Sequence, residues 1–156
     1  MKAKIIPIFV LLVAGFVSCD KDNEIKSDDS LVFSFRRSGG WTGLNENLEI
    51  NSESTHYSIS YINPQSGYQT TIKTSDIIWN ELIKTFDLET FKRIQNGACA
   101  SCVDGIDVTF SVTKEGQTYS FYNGGGDENY QKMQEFFDTI YEQVKYFEDK
   151  QNMVEE

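Results

Sequence analysis

Between Leu31 and Ile72 apolar side chains recur at every second position in four successive runs, and beyond Ser75 the spacing switches to every third or fourth residue. A period of two gives a strand one apolar face, and a period near 3.6 gives a helix one apolar stripe. Leu31, Phe33 and Phe35 mark a first strand, Leu44, Leu48 and Ile50 a second, and Tyr57, Ile59 and Tyr61 a third; after the turn Asn63-Pro64-Gln65-Ser66-Gly67, Tyr68, Thr70 and Ile72 mark a fourth. Ser75 then stands where a cap belongs for a helix over 76–86 carrying Ile78, Leu82 and Phe86, and Leu88, Phe91 and Ile94 continue as a second helical piece before Asn96-Gly97. Ile106, Val108, Phe110 and Val112 make the clearest strand, with Asp107, Thr109, Ser111 and Thr113 on its other face, and Lys114-Glu115-Gly116-Gln117 turns it into a last strand with Tyr119 and Phe121. Met133, Phe137, Ile140, Val144 and Phe147 lie on one helical stripe, and the closing FEDKQNMVEE reads as a frayed helix end.

Strands joined by short turns pair antiparallel, and one-sided strands need a cover. The expected fold is therefore α+β, a mainly antiparallel sheet of about six strands with two amphipathic helices packed on one face. The 8 Tyr and 11 Phe belong mostly to its core and cross-strand pairs, with a sugar-stacking platform as the alternative.

The first residues address the compartment. Met1-Lys2-Ala3-Lys4 is a basic start, and residues 5–17 are an apolar run of 13, short of the roughly 20 needed to cross a bilayer. Phe16-Val17-Ser18-Cys19 resembles the lipobox of bacterial lipoproteins, which makes Cys19 the acylated residue and the new N-terminus; an ordinary signal cleaved nearby is the competing reading. Residues 1–18 are then a lipoprotein signal peptide, 19–30 a lipidated acidic tether too polar to offset its ordering entropy, and 31–150 a single α+β domain. The acids behind Cys19 resemble the signal that exports lipoproteins to the outer membrane, which points to lipid anchoring there and to surface display.

Loss of Lys2 and Lys4 with the signal takes the net charge from −10 to −12. That field repels phosphate backbones and anionic headgroups, so nucleic acid is not a partner and the membrane is met through the lipid anchor only. Beyond Cys19, two cysteines remain, Cys99 and Cys102. Outside the cytosol a close pair is expected as a local disulfide, with free thiols as the alternative. Zinc would want further ligands, and His56 is the single histidine. A thioredoxin-like pair wants its first Cys at a helix N-terminus, whereas this one runs into a strand pattern.

One histidine cannot build a Ser-His-acid set, so His56 reads as an ordinary strand residue and the chain as a non-enzyme with no cofactor and no metal. Asp104-Gly105-Ile106-Asp107 and Gly124-Gly125-Gly126-Asp127-Glu128 lack the spacing of a calcium loop and read as turns, with Asp127 as an N-cap.

Between the first two strands lies Arg37-Ser38-Gly39-Gly40-Trp41-Thr42-Gly43, longer than a hairpin needs. Glycines there permit positive φ or close backbone approach, and an aromatic on such a loop offers contact area at small entropy cost. Gly39, Gly40, Trp41, Thr42 and Gly43 are the candidate partner-binding residues; in the alternative, Trp41 folds back as a lid on the core. This motif, with the element order over Leu31 to Phe147, resembles emfourin, a small bacterial inhibitor of protealysin and related thermolysin-like metalloproteases. The resemblance implies a protein partner, a metalloprotease, and inhibition without catalysis. An architectural or assembly role, binding another envelope protein along a sheet edge, is the other expectation.

Overall fold

The two most regular alternating runs become neighbours at the centre of the sheet. The computed structural model describes residues 30–154; the signal peptide, Cys19 and all of the tether except Ser30 lie outside the described residues. In chain order the elements are β1 (Val32–Gly39), β2 (Leu44–Ile50), β3 (Ser54–Tyr61), β4 (Ser66–Lys73), α1 (Asp76–Thr85), α2 (Leu88–Phe91), β5 (Ile106–Lys114), β6 (Gln117–Tyr122), α3 (Glu128–Lys132) and α4 (Gln134–Val154), with single 3₁₀ turns at Ser101–Val103 and Gly124–Gly126. The fold is α+β: one six-stranded sheet in the order β4-β3-β2-β1-β5-β6, antiparallel throughout, and four helices.

Register follows from the apolar alternation. Phe33 stands between Ile50 and Val112, and Phe35 between Leu48 and Phe110, so all six side chains share one face and all are buried. The helices contribute the matching rings. Phe33 meets Trp79 of α1 at 5.6 Å and Phe136 of α4 at 5.1 Å, Phe110 meets Phe137 at 4.7 Å, and Tyr57 stacks on Phe147 at 5.1 Å. The opposite face carries short polar side chains in register, Ser34 beside Ser111 and Asn47 beside Ser58.

Four helices stand where two were expected, because short-range capping breaks each helical stretch. α1 stops at Thr85, Phe86 turns extended, and the Asp87 carboxylate then accepts from the Thr90 N–H to start the one-turn α2. Asp127 caps α3 as expected, accepting from Asn129 N at 2.7 Å, and Met133 leaves helical geometry before α4 begins. Ser75 holds the cap position of α1, but its side chain makes no capping bond; its carbonyl accepts from Trp79 N at 2.9 Å. α4 stays helical to Val154 rather than fraying after Phe147.

Three tyrosines are held neutral by their surroundings. Burial, and then the bond to Glu46, raises the pKa of Tyr57; burial and the neighbouring Tyr141 raise that of Tyr130; burial raises that of Tyr141 despite opposing effects of Tyr130 and Arg37. A folded pKa above the unfolded value near 10 gives stability that is complete below about pH 10 and lost as pH rises further. Urea midpoints should therefore hold steady from pH 8 to about 10 and fall beyond it, and tyrosinate absorbance of these three should appear only with unfolding.

Candidate functional site

Three loops meet at the end of the sheet where β1 finishes. The β1–β2 loop places Gly39, Gly40 and Gly43 at φ of 119°, 69° and 62°. Substitution by a residue with a Cβ is obstructed as well as strained: at Gly39 that atom would lie 2.5 Å from the Gly105 carbonyl oxygen, and at Gly43 it would lie 2.8 Å from Ile62 Cβ. These glycines therefore serve close loop packing. Gly40 N donates to Gly105 O at 2.9 Å, Gly43 N to Gly40 O at 3.0 Å, and Thr42 O accepts from both Ile62 N at 3.0 Å and Asn63 N at 3.1 Å. The β1–β2 loop is thus bonded on one side to the segment before β5 and on the other to the β3–β4 loop.

Trp41 is 86% exposed and does not fold back over the core. The adjoining segments carry further exposed apolar residues: Ile62 at 79%, Val103 at 81% and, at the start of β5, Ile106 at 43%. Ile62 and Val103 escaped the sequence reading, and Ile106 was read there only as a strand residue. Their available signal was position, since Ile62 precedes Asn63-Pro64 and Val103 precedes Asp104-Gly105, so each apolar side chain is carried onto a turn. Thr42 is exposed beside Trp41.

Cys99 and Cys102 are disulfide-bonded. The pair does not run straight into a strand: the 3₁₀ turn Ser101–Val103 intervenes. Asp107, at the start of β5, holds this segment, its carboxylate accepting from Ala100 N at 2.7 Å, from the Ser101 hydroxyl and from Asn123 Nδ2 at 2.6 Å. The Ser101 and Asn123 bonds, followed by those from backbone N–H groups, hold its pKa below the ordinary carboxylate value. Asp107 is thereby committed to loop structure. Among the described residues no three of His, Cys, Asp and Glu converge as a metal site. His56 sits on the polar sheet face with Nδ1 2.8 Å from Thr71 Oγ1.

Directly beneath the loops the inward positions turn polar. Arg37 lies opposite Glu46 on β2, which is fully buried. Arg37 Nε donates to Glu46 Oε2 and its Nη2 to Glu148 on α4, while Tyr57 OH donates to Glu46 Oε1 at 2.7 Å. Burial works against the Arg37 charge, and the bonds and attraction to Glu46, then Glu148, more than reverse it and raise its pKa. A cleft of about 470 Å³ opens beside this cluster, lined by Arg37, Ile59 and Tyr61 from the sheet and by Tyr141, Val144 and Glu148 among others on α4.

In comparisons with known proteins, no family model matches the chain and no curated protein matches it.

Replacing Arg37 by Ala would strand Glu46 as a buried, uncompensated charge. We expect a loss of about 3–5 kcal/mol in urea denaturation at pH 7, and a smaller loss for Glu148→Ala, which leaves the Arg37–Glu46 bond in place.

Proposed function

We propose that this protein is a non-catalytic, lipid-anchored binding domain of the bacterial envelope that docks a protein partner on the loop end of its sheet. One observation carries the reading: a tryptophan 86% exposed on a loop bonded from both sides. Large apolar side chains at a loop tip contribute nothing to the core, and a rigid aromatic anchor is what a protein interface uses best. In this reading α1 and α4 form a layer over one sheet face, and the loop end stays clear of it.

Its most concrete form is inhibition of a thermolysin-like metalloprotease, as the resemblance to emfourin implies. His56 is bonded to Thr71 on the polar sheet face, so capture of a catalytic zinc by imidazole is not the means. Blockade would come from shape: Trp41 as anchor with Thr42 exposed beside it, and Gly39, Gly40 and Gly43 holding the loop that presents them.

The anchor and the site fit one arrangement. β1 runs from Val32, just past the tether, to Gly39, so the tether joins at one end of the sheet and the apolar loops stand at the other, roughly 25 Å away at about 3.3 Å per residue. A chain held by Cys19 presents Trp41 outward. The envelope-assembly reading has its own support. Asn96 and Gly97 cover the β6 edge by bonding Tyr122 N and O, whereas β4, without proline and with one charge at Lys73, forms the other edge.

Titration of the mature protein against a thermolysin-like metalloprotease should give tight inhibition, and Trp41→Ala, folded by circular dichroism, should weaken it by about 30-fold or more, the equivalent of about 2 kcal/mol. Inhibition unaffected by Trp41→Ala would discard the site, and none at micromolar protein would discard the protease as partner. Anchoring is checked separately: expressed with its own signal, wild type should fractionate with membranes while Cys19→Ser is released or stays unprocessed, and equal retention of both would refute lipidation.

A further inference from the structure

A disulfide between residues three apart closes so short a loop that it restricts the unfolded chain little. The folded loop has little need of it either. Val103 N and Gly105 N both donate to Ala100 O, at 3.0 and 2.8 Å, Gly105 O accepts from Gly40 N, and Asp107 binds Ala100 and Ser101. Stability therefore does not account for this bridge.

Its two sulfurs are also unlike. Cys102 is exposed and Cys99 half-buried. The Cys102 N–H points at Cys99 Sγ, 3.1 Å away, and the Ser101 hydroxyl stands 3.6 Å from the same sulfur. The Cys102 N–H is poised to stabilise negative charge on Cys99, while the Ser101 hydroxyl gives its proton to Asp107.

We propose that Cys99–Cys102 is a thiol–disulfide exchange site, attacked at Cys102 with Cys99 as leaving group. An external thiolate bonds to Cys102 Sγ as the Sγ–Sγ bond breaks, and the electron pair departs with Cys99 Sγ as a thiolate, met by the Cys102 N–H. A second thiolate attacks the mixed disulfide at the external sulfur, so the protein ends as a dithiol and the two external thiols as a disulfide. Because the hydrogen-bonded loop keeps the cysteines together, the reverse reaction, in which an external disulfide is reduced to two thiols as the protein dithiol is oxidised to the bridge, needs no refolding. The site stands independently of protease inhibition, since it rests on the sulfurs' own surroundings.

The test uses folded mature protein without denaturant, treated with glutathione in one arm and with reduced thioredoxin in the other, quenched at intervals by alkylation and mapped by mass spectrometry. We expect the bridge to open in at least one arm with the circular dichroism spectrum unchanged, and the transient adduct to sit on Cys102. Where opening outpaces trapping, single-cysteine variants decide: in alkylation rates followed against pH, the Cys99 thiol of Cys102→Ser should titrate at lower pH than the Cys102 thiol of Cys99→Ser. A bridge that opens in neither arm until the protein is denatured overturns the proposal, as does an adduct on Cys99 or a Cys99 thiol that titrates no lower than that of Cys102.

Discussion

Taking an ionised carboxylate out of water costs several kcal/mol unless charge and hydrogen bonds replace its hydration. Glu46 is the one charged residue among the described residues that is fully buried, and both its oxygens are bound, one by Arg37 and one by Tyr57. These partners come from three adjacent strands, so a slip of β1 or β3 against β2 by one residue would leave the carboxylate unpaired as well as turn apolar side chains to water. Through Glu148 the same guanidinium ties α4 to the sheet. Specificity of register, more than net stability, is what such a cluster contributes.

The position of the cluster divides the sheet lengthwise. From Phe33 to Phe35 on β1 the inward side chains are aromatic and meet rings from the helices. At Arg37 the inward side becomes polar, and at Gly39 it has no side chain, which is what lets the Gly105 carbonyl approach. Apolar filling thus gives way to directed bonds, then to backbone packing. The apolar residues beyond that point, Trp41, Ile62 and Val103, find no core to enter and remain in solvent.

The alternation of apolar residues made all six strands legible, since a two-residue period is imposed by backbone geometry and every strand but the edge strand β4 buries side chains on one face. Helix existence was legible too, as was a separate piece from Leu88, but the break at Met133 was not: it interrupts a stretch whose apolar spacing continues across it, because helix ends are decided by local hydrogen bonds that periodicity does not register. Trp79 was missed because it lies beside the Ile78, Leu82, Phe86 series rather than on it, although it is buried against Phe33. Glu46 reads as a polar interruption of β2, and only the register shows that it faces inward opposite Arg37. At the loop end the glycines and Trp41 were visible in one segment, whereas Ile62, Val103 and Ile106 join them only through tertiary contacts between loops distant in sequence.

Two supports hold the loop end from different sides. The Arg37–Glu46 cluster fixes the strands beneath it, and the Asp107–Asn123 bonds, with Asn123 at φ 50° also accepting from Val108 N at 2.8 Å, fix the segment before β5. Neither runs through the sulfurs. The exposed apolar side chains therefore stand on backbone that is already ordered, and a partner would immobilise mainly side-chain rotamers rather than whole loops, which lowers the entropic cost of association. Opening of the Cys99–Cys102 bridge leaves both supports intact, so exchange at the sulfurs and docking at Trp41 share one end of the molecule without either requiring the other.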